Sequence, residues 1–165
     1  MTRPPFEPPT EEDIAEVSRQ LGRPARGVIG IAARCACGRP TVVATSPRLP
    51  DGTPFPTLYY LSHPAATASL STLEATGVMA ELAGELDDPE LAAAYRAAHE
   101  SYLADREGIL AVPEIAGYSA GGMPDRVKCL HALVAHALAA GPGVNPIGDR
   151  ALARASWSPE RCECV

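Results

Sequence analysis

Short runs of strand-forming residues occur between positions 27 and 61 of this chain, and the residues after His63 read as helices and the loops between them. That order points to an α+β fold, a small antiparallel sheet of about three strands packed against four to five helices. GVIGIAA (27–33) and TVVAT (41–45) flank the turn-like Cys35-Ala36-Cys37-Gly38-Arg39-Pro40 and read as a hairpin. Asp51-Gly52, set between prolines, is a turn signal that leads into a third strand, TLYYL (57–61). Ahead of the sheet, Thr10 and Asp13 resemble a capping box, with Ile14, Val17 and Leu21 at helical spacing before Gly22.

After the sheet, Pro64 opens a helix to about Thr76, and a second segment runs from Val78 to Leu86. Asp88-Pro89 starts a cleaner helix to Arg106, on which Leu91, Tyr95, Ala98 and Tyr102 share one face. These tyrosines read as core, and His99 as a partly buried or surface histidine. Pro124 suits the first position of a helix reaching Ala140, where Gly141-Pro142-Gly143 ends it, and Asn145-Pro146-Ile147-Gly148 reads as an ordered turn. The expected organisation is a disordered Pro-rich tail over 1–9, one domain over 10–150 and a C-terminal tail over 151–165.

Charge and cysteine usage bound the function. A net charge of −6 argues against general nucleic-acid binding, which needs clustered cations. The charge is unevenly spread: residues 17–50 hold six arginines and no acid, so one part of the surface can attract anions or simply be solvated. No apolar run approaches the ~18 residues of a membrane span and no signal core precedes Thr10, so a cytoplasmic protein without membrane insertion is expected. Lys128 is the sole lysine among 14 basic residues, the mark of a GC-rich genome. Five cysteines without a secretion signal read as reduced thiols, metal ligands or catalytic groups rather than a disulfide framework.

Three kinds of chemistry compete for the same residues. A glycine loop feeding a helix start, with Gly121, Gly122, Arg126 and Lys128, has the physics of an anion cradle without the Walker or dinucleotide spacing. Cys35, Cys37, His63 and Cys129 could together supply a tetrahedral zinc set. On a helix begun at Pro124, Cys129 and His131 would point to nearly opposite faces and His136 would lie too far along the axis, so ligands must be borrowed from elsewhere. Alternatively, Cys129 near a helix N-terminus and beside Lys128 would favour its thiolate, with a histidine as base and Arg126 close by, a reactive thiol or catalytic group. Cys162 and Cys164 lie in the terminal segment and are not counted as ligands.

Arg34-Cys35-Ala36-Cys37-Gly38, PFPTLYYL (54–61), GGMPDRVKCLH (121–131) and GPGVNPIG (141–148) together resemble the bacterial domain-of-unknown-function family 501 in its actinobacterial form. The resemblance spans about Leu21 to Gly148 and implies no established activity. Genes near family members, for a septum-formation initiator and an exopolyphosphatase-like phosphatase, imply a loose tie to division or phosphate metabolism. Three expectations follow. The first is a small binding protein with a metal or anion site between the hairpin turn, His63 and the 121–131 segment. The second is a thiol- or metal-dependent enzyme acting on a phosphorylated or acidic small molecule, and the third is an interaction protein of the division machinery.

Overall fold

The computed structural model describes residues 6–164. A three-stranded antiparallel sheet, order β1-β2-β3, is formed by β1 (Val28–Arg34), β2 (Pro40–Thr45) and β3 (Tyr59–Leu61). Among the described residues six helices accompany it: α1 (Glu11–Leu21), α2 (Pro64–Ala75), α3 (Val78–Glu85), α4 (Pro89–Glu107), α5 (Leu130–Ala140) and α6 (Pro146–Arg154), with a 3-10 turn at Pro113–Ile115. The protein is therefore α+β. Both hairpin strands and the third strand fall where the residue pattern puts them.

Every residue of β2 is buried, because the central strand is covered on both faces. Val43 points toward α1 and packs with Val17 and Ile31, whereas Val42 and Ala44 face the main core with Leu61, Leu133 and Val134. This alternation is the period of two that a pleated strand imposes. The main core is organised around α5, a helix apolar apart from His131 and His136, with eight of its eleven residues buried. α6 crosses α5 closely: a Cβ on Gly148 would lie 2.3 Å from the Leu133 carbonyl oxygen.

A polar lattice runs through this core. Tyr95 and Tyr102 are fully buried, as the helical face of α4 implies. The Tyr102 hydroxyl accepts the Leu58 N–H at 2.6 Å, and the Tyr59 hydroxyl donates to Asp105 at 2.7 Å. Arg106, 1% exposed, donates to the carbonyls of Pro56, Ile115 and Tyr118, so its charge is dispersed over backbone dipoles. His99 is buried and pairs with Ser119 at 2.7 Å, and His136 stacks on Tyr59 at 5.6 Å.

The structure departs from the sequence reading at two places. Helix α5 starts at Leu130, not at Pro124. Gly121 and Gly122 adopt left-handed backbone (φ 68° and 99°), and the chain folds back so that Lys128 and Cys129 donate to the Gly121 carbonyl and Arg126 to that of Gly122. A Cβ on Gly122 would come within 2.6 Å of the Arg126 carbonyl oxygen, so the loop closes around that glycine. Asn145-Pro146, read as a turn, is a helix start: Asn145 caps α6 by accepting the Gly148 N–H at 2.9 Å, and the helix continues to Arg154.

At the N-terminus, residues 1–5 of the expected Pro-rich tail lie outside the described residues. Beyond them Glu7 bridges Ile31 on the free edge of β1, and Phe6 meets the Tyr59 ring edge-on at 5.7 Å. Phe6 is seated over Gly30, where a Cβ would clash at 2.4 Å.

Candidate metal centres

The β1–β2 turn is set by two backbone hydrogen bonds, Cys35 N–H to the Arg39 carbonyl and Gly38 N–H to the Cys35 carbonyl, both 2.8 Å, with Gly38 at φ 94°. So tight a turn holds Cys35 and Cys37 close together. The C-terminal segment reaches the same place. Trp157, 2% exposed, packs against the His63 ring at 5.3 Å, Ser156 N–H donates to Ser69 at 2.9 Å, and Ala36 N–H donates to the Pro159 carbonyl at 3.1 Å. Residues expected as a tail are thus laid against the hairpin turn.

The result is a cluster of four thiols, Cys35, Cys37, Cys162 and Cys164, with every sulfur within 4.8 Å of the others. Cys164 Sγ lies 3.5 Å from Cys37 Sγ and 3.7 Å from Cys35 Sγ, across 127 and 129 residues of chain. Four thiolates around zinc at 2.3 Å would be separated by a tetrahedral edge of about 3.8 Å, so the observed spacing suits a four-sulfur cage. All five cysteines of the chain are free thiols. The environment divides them: the backbone N–H of Arg39 draws Cys37 down to about 7, while burial raises Cys35 and pushes Cys164 up to about 12. Four neighbouring thiolates repel one another, and a cation that displaces their protons removes that repulsion.

His63, expected as a ligand, also reaches this centre, beside the group of four sulfurs. It is the N-cap of α2, and its Nδ1 accepts the Ala66 N–H. Burial lowers its pKa and favours the neutral ring, so the remaining proton belongs on Nε2, 3.1 Å from Cys164 Sγ. The side chain therefore offers an N–H to the sulfur, a contact that would orient the thiolate if a metal were bound.

Cys129 stands apart from the four-cysteine cluster. It is the N-cap of α5 in extended backbone (φ −149°), so the helical geometry that would place it opposite His131 does not apply. Its sulfur instead groups with Glu74 and His131, with one donor atom from each residue all within 4.8 Å of one another. His131 Nδ1 lies 3.2 Å from Glu74 Oε1, and His131 Nε2 lies 3.2 Å from both the Thr67 carbonyl and the Ser71 hydroxyl. The adjacent His131 lowers the Cys129 pKa, and Cys129 raises that of His131.

In the glycine loop, the N–H groups of Met123, Arg126, Lys128 and Cys129 donate to backbone carbonyls, and Leu130 N–H donates to Glu74 at 3.1 Å. An internal carboxylate thus occupies the start of α5. Arg126 and Lys128 are exposed.

Sequence reasoning passed over Glu74, Cys162 and Cys164. For the cysteines a signal existed: Cys162-x-Cys164 repeats the spacing of Cys35-x-Cys37. Glu74 gave none, since a lone acid on a helix is ordinarily solvated.

No curated protein and no solved structure matches the chain significantly. A family model described as "Protein of unknown function (DUF501)" matches residues 31–153, a segment that holds Cys35, Cys37, His63, Glu74, Cys129 and His131 and ends before Cys162. The chain belongs to this family, DUF501.

Proposed function

We propose that this chain is a small metal-binding protein that holds one zinc-class ion between Cys35, Cys37, Cys162 and Cys164. The observation that carries the reading is the convergence of two Cys-x-Cys pairs, from the hairpin turn and the C-terminal segment, at sulfur separations close to a tetrahedral edge. Soft thiolates in that geometry select zinc over hard cations, and four protein ligands leave no position for substrate. Such a centre binds and fastens. It would clip the C-terminal segment to the hairpin turn, with His63 orienting Cys164.

The test is elemental analysis of untagged protein combined with native thiol titration. A drop of about one zinc equivalent per chain from wild type to the Cys35→Ser/Cys164→Ser double variant, with the thiols at these positions shielded in the wild type, is the expected result. A metal content unchanged by that double variant, with freely titrating thiols at these positions, would overturn the proposal.

A further inference from the structure

Outside the four-cysteine centre, a second convergence of donors lies where α2 meets the start of α5. We infer that Glu74, Cys129 and His131 form a separate, three-ligand site for a zinc-class divalent ion, with its fourth coordination position open to solvent.

The protonation pattern of His131 is the first support. Nε2 lies 3.2 Å from the Thr67 carbonyl, which can only accept, so Nε2 carries a hydrogen, and a cation that displaces the proton from Nδ1 meets the lone pair of a neutral ring there. Nδ1 is the nitrogen that faces Glu74 Oε1 at 3.2 Å. A histidine ligand is ordinarily held in this way, its far N–H tied to a carbonyl so that the near nitrogen is aimed at the metal.

The other two donors are oriented as well. Glu74 Oε2 accepts the Leu130 N–H at 3.1 Å, which fixes the carboxylate with Oε1 toward His131. Cys129 is released from helical geometry by its extended N-cap backbone, and its sulfur joins the pair within 4.8 Å.

Distance and charge agree with a metal. Nitrogen and oxygen ligands at 2.0–2.1 Å from a tetrahedral zinc lie about 3.4 Å apart, against the observed 3.2 Å. One thiolate, one carboxylate and one neutral imidazole neutralise a divalent cation without excess. The side chains of His131 and Glu74 remain 24% and 22% exposed, so the ion would keep a face toward water. Three mixed protein ligands with one open position form the pattern of zinc sites that exchange a bound water for another oxygen ligand, unlike a closed four-sulfur cage.

The competing arrangement is a simple His131–Glu74 ion pair beside a thiol, which needs no metal. Equilibrium dialysis of untagged protein against zinc under reducing conditions separates the two. Wild type should bind two ions, Cys129→Ser one, and the Cys35→Ser/Cys164→Ser double variant one. With cobalt as the probe, Cys129→Ser should remove one thiolate-to-metal absorption component and leave the other. Glu74→Gln should weaken cobalt affinity at the same site about tenfold or more. Should Cys129→Ser misfold, His131→Gln and Glu74→Gln replace it, and loss of one ion in both supports the site. An ion lost in Cys129→Ser but retained in the double variant supports this site even if the four-cysteine reading fails. Equal ion counts in wild type, Cys129→Ser and Glu74→Gln would overturn it.

Discussion

If a metal joins the hairpin turn to the C-terminal segment, removing it deletes a cross-link between cysteines 127 residues apart in sequence. Treated as a closed loop of that length, the link restricts the unfolded chain by about 16 cal/mol/K, or about 5 kcal/mol near 25 °C. That figure is a ceiling, because thiols that bind metal in the unfolded chain reduce it. For a chain of this size each kcal/mol moves the midpoint by about 2–4 °C, so stripping the metal should lower Tm by up to about 10–20 °C. The core itself should survive, since Leu133, Tyr102 and Trp157 are buried independently of the thiols. The assay is thermal unfolding with added zinc and with chelator, followed by hydrogen exchange of the metal-free form. Exchange should rise first at residues 35–39 and 158–164, the two segments the link joins. Superimposable unfolding curves with zinc and with chelator would refute the reasoning.

Three further predictions concern the scaffold. Gly148→Ala and Gly84→Ala should move stability in opposite directions. At Gly148 the new methyl meets backbone of α5 at 2.3 Å, and overpacking of about 1–3 kcal/mol outweighs the helix-propensity gain. At Gly84 nothing lies within 4 Å, so about 0.5–1 kcal/mol of stabilisation should appear in urea titrations, and shifts of the same sign would contradict the close α5–α6 crossing. Tyr102→Phe removes the acceptor for the buried Leu58 N–H and should cost about 1–3 kcal/mol; an unchanged denaturation midpoint would mean that the N–H finds another partner. Hydrogen bonding to Arg34 holds the Asp13 carboxyl at about 2, below its ordinary value. Its contribution to stability is thus complete above about pH 4 and disappears as the pH falls toward 2, and Arg34→Met should flatten that part of the pH–stability profile.

Local signals told most about the elements whose causes are local. The capping box of Thr10 and Asp13 forms as written, with Thr10 N–H donating to Asp13 and Asp13 N–H to Thr10, and the buried face of α4 follows its helical spacing. Runs of strand-forming residues bounded by turn signals likewise locate β1, β2 and β3, since both act over a few positions. The start of α5 was misread for a physical reason. A proline suits a first helical turn, but the return of residues 126–129 onto the carbonyls of Gly121 and Gly122 is a short-range loop closure that no propensity encodes.

The candidate sites belong to the other category. The residue pattern alone is enough for an α+β chain with a hairpin and cysteines outside any disulfide framework. Which donors meet was decided by tertiary structure. Trp157 buries against His63, carrying Cys162 and Cys164 onto Cys35 and Cys37, and the packing of α2 on α5 sets Glu74 beside Cys129 and His131. Neither meeting has a local cause. Each depends on hydrophobic burial elsewhere in the chain, which is non-directional, so even the shared Cys-x-Cys spacing does not say which donors meet.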